Sequence, residues 1–354
     1  MRYVKASGSF YNVGLRVGEA CREDIPELYE RTVAYLLEHT SVGTVARMHE
    51  VAERYTVEAE RLWAPSVEFL QGLAEGAGVS MEKIALTSFT EEVSSEFLPT
   101  SSDKCSTLVV LTLSWSHLIV HNEDYEPQNF GKMVLLDVTF DGFPRLVCLT
   151  YQGMLPSLAG SLNACGVAIT NNGLWPEARP GLPKQVQHFR ASLTRNLVEA
   201  VQWLEMSPIA VTTHYVVAYG RTREVVSLAV SNFETSAAKM TLRPITSLSF
   251  CHTNHVLDGY LGLKMPDPAK EQLPPNSFTR YDKLKNLTLE ELPRTPQEAF
   301  KLFSTPGDNV LFRESGEEGA SVTLATVVIC PETRELWVRD ADPSAAKRDW
   351  YFSL

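Results

Sequence analysis

From Asp24 to about Val93, apolar residues recur at three- and four-residue spacings with charges between them, as in IPELYERTVAYLLEH and ARMHEVAERYTVEAERLW, which predicts amphipathic helices. Pro65 and the GAGVS stretch interrupt that pattern. Near Leu98 the character changes. FLPTSSDK is a Pro/Ser-rich connector, and the runs CSTLVVLTL, HLIVHNED, MVLLDVTF and PRLVCLTYQG after it read as strands separated by turn residues. A helical pattern returns over His188 to Met206, followed by strand candidates HYVVAYG and EVVSLAVSN. A Pro-rich loop from Met265 to Pro275 leads to predicted helices at Tyr281 to Leu287 and Pro296 to Phe303, and SVTLATVVIC and ELWVRDA close the chain as strands. Strands in blocks, with helices in blocks between them, predict sheets covered by helix layers rather than strict βαβ alternation. No internal repeat, heptad series or low-complexity tract stands out.

The 354 residues are 44% hydrophobic, enough for a large core. With 43 acidic against 32 basic side chains, the net charge of -11 argues against nucleic acid or an anionic membrane as partner. The opening MRYVKASGSFYNVG has no basic or apolar leader pattern, and no run of 18 apolar residues occurs, so the expectation is a cytoplasmic protein. Six scattered cysteines without a CxxC pair read as reduced thiols, most of them buried, and fit neither a disulfide framework nor a zinc site. His252 and His255 are spaced i, i+3 but have no third ligand beside them, and GLAEGAG lacks the Lys-Ser/Thr of a phosphate loop. No metal or cofactor is expected.

The candidate chemistry begins at Cys105, where SDKCSTLVVLTL turns from a polar stretch into a strand. An ordinary thiol, with a pKa of about 8.5, needs a base or a positive environment to act as a nucleophile. Taken alone, Cys105 reads as a buried strand cysteine, Asp124 as a turn or edge-strand carboxylate, NNG as a turn signal, HTNH as a polar loop and Arg280 as a surface cation. Asn171 and Asn172 are neighbours on a strand, so only one can point into a cleft. Arg280 follows Asn276 and Ser277, either of which can cap a helix, and a cation there does not favour the helix dipole. It therefore calls for a specific partner such as Asp124 or a substrate carboxylate.

Together these stretches are more specific. D-x-C-S-T at 103 to 107, N-E-D-Y at 122 to 125, NACGVAITNNGL at 163 to 174, HTNHVLD at 252 to 258 and NSFTRYDKL at 276 to 284 resemble, in that order, the penicillin acyltransferase family of N-terminal-nucleophile hydrolases. The closing TLATVVICPETRELWV is similar to that family's last hairpin. The resemblance implies an α+β fold, a four-layer αββα sandwich with an N-terminal helical segment. It also implies a precursor that cuts itself at Lys104-Cys105 into residues 1–104 and 105–354, which stay associated. Lys104 stands where the best-known members have glycine.

Cleavage would uncover an α-amine with a pKa of about 7.7 to 8.0, so that one residue supplies both nucleophile and base. The resemblance implies that Asp124, nineteen residues beyond Cys105, holds the new ammonium or the thiol; that Asn254, and more weakly Asn172, donates to the oxyanion; and that Arg280 belongs to the site. Where the bile-salt branch has an arginine, three places before the aspartate, this chain has His121. The implied activity is amide hydrolysis or acyl transfer on a small non-peptide amide, such as an N-acyl amino acid or aminoacyl amine. The acyl group would pass through a Cys105 thioester, and an acyl-CoA donor is compatible with that chemistry. Two alternatives stand beside it: an uncleaved hydrolase using Cys251-His252 or Cys105-His121, and a non-catalytic binding protein that keeps the fold.

Overall fold

The computed structural model describes residues 1–97, 105–114, 116–125, 129–175, 178–206, 208–232, 239–264, 275–305, 310–313, 321–342 and 344–354. Lys104 and most of the Met265 to Pro275 loop lie outside the described residues.

The chain opens with a strand, β1 (Arg2–Gly8), before six helices: α1 (Phe10–Ala20), α2 (Ile25–His39), α3 (Val45–Trp63), α4 (Pro65–Ala77), α5 (Met81–Ser88) and α6 (Thr90–Phe97). Strands β2 (Cys105–Leu111), β3 (His117–Tyr125), β4 (Met133–Phe140), β5 (Leu146–Tyr151), β6 (Gly160–Asn163) and β7 (Val167–Trp175) follow. Helices α7 (Lys184–Ser192) and α8 (Leu197–Leu204) lead to β8 (Thr212–Tyr219), β9 (Glu224–Val230), β10 (Met240–Pro244) and β11 (Ser249–His252). Helices α9 (Pro275–Lys285) and α10 (Pro296–Phe303) then precede β12 (Val322–Cys330), β13 (Glu335–Asp340) and β14 (Asp349–Ser353).

Two sheets form. The first runs β1-β4-β5-β6-β7-β8-β9-β10 and the second β11-β2-β3-β12-β13-β14. All their pairings are antiparallel except β1 with β4. The sheets face each other across a core of Val109, Ile119, Leu135, Leu149, Ala168 and Val327. Helices α1 to α5 and α7 cover one outer face, where Val13, Leu70 and Phe189 share a core with Leu136 and Val138 of β4, while α8 packs beside α7 over β7 to β9. Helices α9 and α10 cover the outer face of the second sheet through Leu284, Phe300 and Phe303. This is the four-layer αββα sandwich, an α+β fold.

Several elements differ from the sequence pattern for identifiable reasons. The helix expected over His188 to Met206 is two, because Asn196 leaves helical geometry and its side chain caps α8 by accepting from Glu199 N. Helix α1 lies before the stretch read as helical although Phe10, Val13 and Val17 form an apolar stripe, whereas strands β1, β6, β10, β11 and β14 carry no strong period of their own. All of these form where a neighbouring sheet edge or α4 supplies the packing partner.

Candidate active site

Strand alternation arranges the site. Val109 and Ile119 face the gap between the sheets, so Cys105 and Thr107 on β2, and His121 and Glu123 on β3, face it too. Register places Glu123 directly across from Cys105. The Cys105 Sγ donates to Glu123 Oε2 at 3.4 Å, and Tyr151 on β5 donates its hydroxyl to Glu123 Oε1 at 2.8 Å. Asp124, one residue on, belongs to the opposite face, where its Oδ1 accepts from Thr323 of β12 at 2.7 Å. The carboxylate that the described residues bring to the thiol is therefore Glu123.

Main-chain atoms of Cys105 are held from the other side. Its N–H donates to Asn254 Oδ1 at 2.9 Å, and Asn254 Nδ2 donates to the Gly173 carbonyl at 3.1 Å. Arg280, fully buried on α9, donates to the Cys105 carbonyl at 2.5 Å, to Ser106 Oγ at 2.6 Å, to Asn254 Oδ1 at 2.9 Å and to Asn276 Oδ1 at 2.9 Å. Arg280 sits in the second turn of α9 and grips the start of β2. Asn172 faces the gap and accepts from Thr107 Oγ1 at 3.0 Å, whereas Asn171 turns toward α7 and bonds Leu158 O and, at 3.1 Å, His188 Nδ1. The structure thus brings Cys105, Asn254 and Arg280 into direct contact, sets Asn172 one layer deeper, and leaves Asp124 behind the strand.

A cavity of about 30 Å³ opens at the thiol, lined among the described residues by Glu123, Tyr151, Asn171, Lys184 and Glu91. Lys184, at the first position of α7, is buried and pairs with Glu91 of α6. Glu92 accepts the Lys184 N–H at 2.9 Å and so caps α7, which Pro183 cannot do with its side chain. Burial pushes the Glu92 carboxyl up to about 7, with the charge of Glu91 adding to it. Burial also pushes the Cys105 thiol well up, the charges of Glu123 and Asp124 push it further, and Lys184 opposes them. The resting thiol is therefore neutral and needs a proton acceptor to react.

Sequence reasoning misses Glu123, Tyr151, Lys184 and Glu91. Period-two alternation through NEDY finds Glu123 only once the hairpin register is known. Lys184 sits in a Pro-rich stretch with no motif to mark it. Cys251 and His252 are successive strand residues: the Cys251 Sγ lies 4.0 Å from the Tyr281 carbonyl, and His252 stacks on His214 at 3.6 Å. They form no dyad. His255 stacks on Phe278 at 4.0 Å.

Residues 113–345 match the family model of acyl-coenzyme A:6-aminopenicillanic acid acyl-transferase. The chain belongs to that family. The match spans Asp124, Asn172, Asn254 and Arg280 and begins past Cys105. Family membership makes the protein an amide hydrolase or acyltransferase. Among solved structures, the chain is similar to a Caenorhabditis elegans N-acylethanolamine-hydrolyzing acid amidase ortholog (14% identity, 70% of this chain and 100% of that one, TM-score 0.45). It is also similar to a conjugated bile acid hydrolase of Clostridium perfringens (13%, 71% and 92%, TM-score 0.41) and to a penicillin V acylase of Agrobacterium tumefaciens (11%, 71% and 86%, TM-score 0.40). Comparison with curated proteins gives no match. No helix of the described residues is long and apolar enough to cross a membrane.

Proposed function

We propose that the chain cuts itself at Lys104-Cys105 and that the freed Cys105 takes an acyl group from a small non-peptide amide as a thioester, passing it to water or an amine. The observation that supports this most is the grip on Cys105: its nitrogen on Asn254 and its carbonyl on Arg280, with the thiol facing a cavity. Those contacts fix the nitrogen that cleavage would turn into an amine, leaving the sulfur as the group that reacts.

In the cutting step Sγ attacks the Lys104 carbonyl carbon and its proton passes to a nearby acceptor. The C–N bond then breaks as the Cys105 nitrogen takes a proton, and water hydrolyses the resulting thioester, leaving the Lys104 carboxylate and a free thiol. In turnover the α-amine, near its pKa at neutral pH, takes the thiol proton. Asn254 holds that amine through Oδ1 and offers Nδ2 to the oxyanion, and a donor in that role lowers the barrier by about 3 to 4 kcal/mol. Arg280 fixes the start of β2, Asn172 anchors Thr107, and Asp124 ties β3 to β12 behind the nucleophile. Residues 1–104 remain bound after the cut, because α1 to α5 share one core with β4 and β5.

Intact-mass analysis tests this. Wild type should give two fragments meeting at Lys104-Cys105, Cys105→Ser should be slowed or uncut, and Cys105→Ala should stay whole and release no amine from N-acyl amino acids or aminoacyl amines. Normal cutting in Cys105→Ala would overturn the reading. The contact between Cys105 Sγ and Glu123 favours a second reading, an uncleaved thiol hydrolase in which Glu123, backed by His121, is the base. Turnover by an intact chain would select it.

A further inference from the structure

We infer that Cys105, His121 and Glu123 form a three-ligand site for a thiophilic divalent cation of the Zn²⁺ class, and that the bound metal silences the nucleophile. Their ligand atoms all lie within 4.8 Å of one another, and all three residues are buried. Glu123 Oε2 is 3.4 Å from Cys105 Sγ and 3.4 Å from His121 Nε2. Tetrahedral zinc, with bonds of roughly 2.3 Å to sulfur and 2.0 to 2.2 Å to nitrogen and oxygen, sets its ligand edges at about 3.6 Å for S···O and 3.4 Å for N···O. The two separations therefore match a metal-bound geometry before any metal arrives.

The surrounding hydrogen bonds point the same way. Thr107 Oγ1 lies 2.9 Å from His121 Nδ1 and 3.0 Å from Asn172 Oδ1, so by giving its one hydrogen to Asn172 it is placed to accept from Nδ1–H. An imidazole that gives its Nδ1–H to Thr107 can turn an Nε2 lone pair to the space shared with Glu123 and Cys105, and a metal there replaces the proton between Nε2 and Glu123 Oε2. Tyr151 orients the other oxygen of Glu123. Metal-binding histidines and carboxylates are typically held by such outer partners. Binding expels the Cys105 S–H proton to solvent and forms an S–metal bond. The two charges of Zn²⁺ are then offset by one thiolate and one carboxylate, the neutral balance that a buried site requires. The cavity beside the thiol leaves the fourth position for water.

The site rests on the proposed function only for its consequence, loss of nucleophilicity, because metal binding needs no turnover. Full-length protein is dialysed against Zn²⁺ for metal content and against Co²⁺ for the near-ultraviolet thiolate-to-cobalt charge-transfer band. One metal per chain and the band are expected in wild type, and Cys105→Ala should lose the band. His121→Ala and Glu123→Gln should each weaken binding by at least about tenfold. Thr107→Val, which keeps all three ligands but frees the imidazole, should weaken it by about tenfold to a hundredfold. Absence of the band in wild type, its persistence in Cys105→Ala, or unchanged affinity in Thr107→Val overturns the site. If the metal binds yet Cys105→Ala still cuts itself, the site stands and the proposed function fails.

Discussion

Arg280 heads the fully buried side chains, and its guanidinium ties Cys105, Ser106, Asn254 and Asn276 together. A planar fork can meet acceptors in several directions at once, whereas an ammonium is a point charge on a flexible stem. Arg280→Lys therefore leaves buried acceptors unmet, each costing about 1 to 3 kcal/mol. The chemical-denaturation midpoint should fall accordingly, and an unchanged midpoint would contradict the account. The pattern N-S-F-T-R supplies a cation and a helix start, but taken alone it reads as a surface arginine, and the family resemblance is what marks Arg280 for the site. Its partners are not legible, because they come from β2 and the HTNH segment, distant in sequence. The contrast between Asp124 and Glu123 has the same origin: spacing along a hairpin allows either, and only the pairing of Cys105 with Glu123 decides which carboxylate faces the thiol.

Among the helices, α1 and α4 pack backbone to backbone. A Cβ on Gly72 would lie 2.0 Å from the Tyr11 carbonyl oxygen, and one on Gly14 would lie 2.1 Å from that of Phe69. Neither neighbour is a side chain that can turn aside. Gly72→Ala should destabilise the protein by about 1 to 3 kcal/mol despite the higher helix propensity of alanine, read as a lower thermal midpoint. A raised midpoint would mean that the helices separate at little cost. Periodicity makes α2 and α3 legible, since their apolar stripes face a single core. Strand β10 is largely exposed and escapes the pattern, because it completes a sheet edge without a buried face of its own.

Across the whole molecule, buried histidines set the response to acid. Burial holds His188 and His214 down to about 3 and His255 down to about 4, and it pushes His252 well below the ordinary value. The unfolded chain takes up those protons near pH 6.5 and the folded one does not, so their contribution is complete above 6.5 and declines as pH falls toward 4. Each contributes a slope of up to about 1.4 kcal/mol per pH unit in that window. Glu92, raised to about 7, acts in the opposite sense between about 4.5 and 7, with one group against four. Urea midpoints should drop steadily from pH 6.5 to 4.5, and flat midpoints would refute the neutral, buried state of these rings.

The parallel pairing of β1 with β4 joins the first residues of the chain to a strand that begins at Met133. A polypeptide starting at Cys105 would present β4 as a bare sheet margin, with unsatisfied amides inviting another copy to dock. Preparing the cut form from two separately made pieces would then call for mixing them during refolding, so that the missing ribbon is there to close the edge.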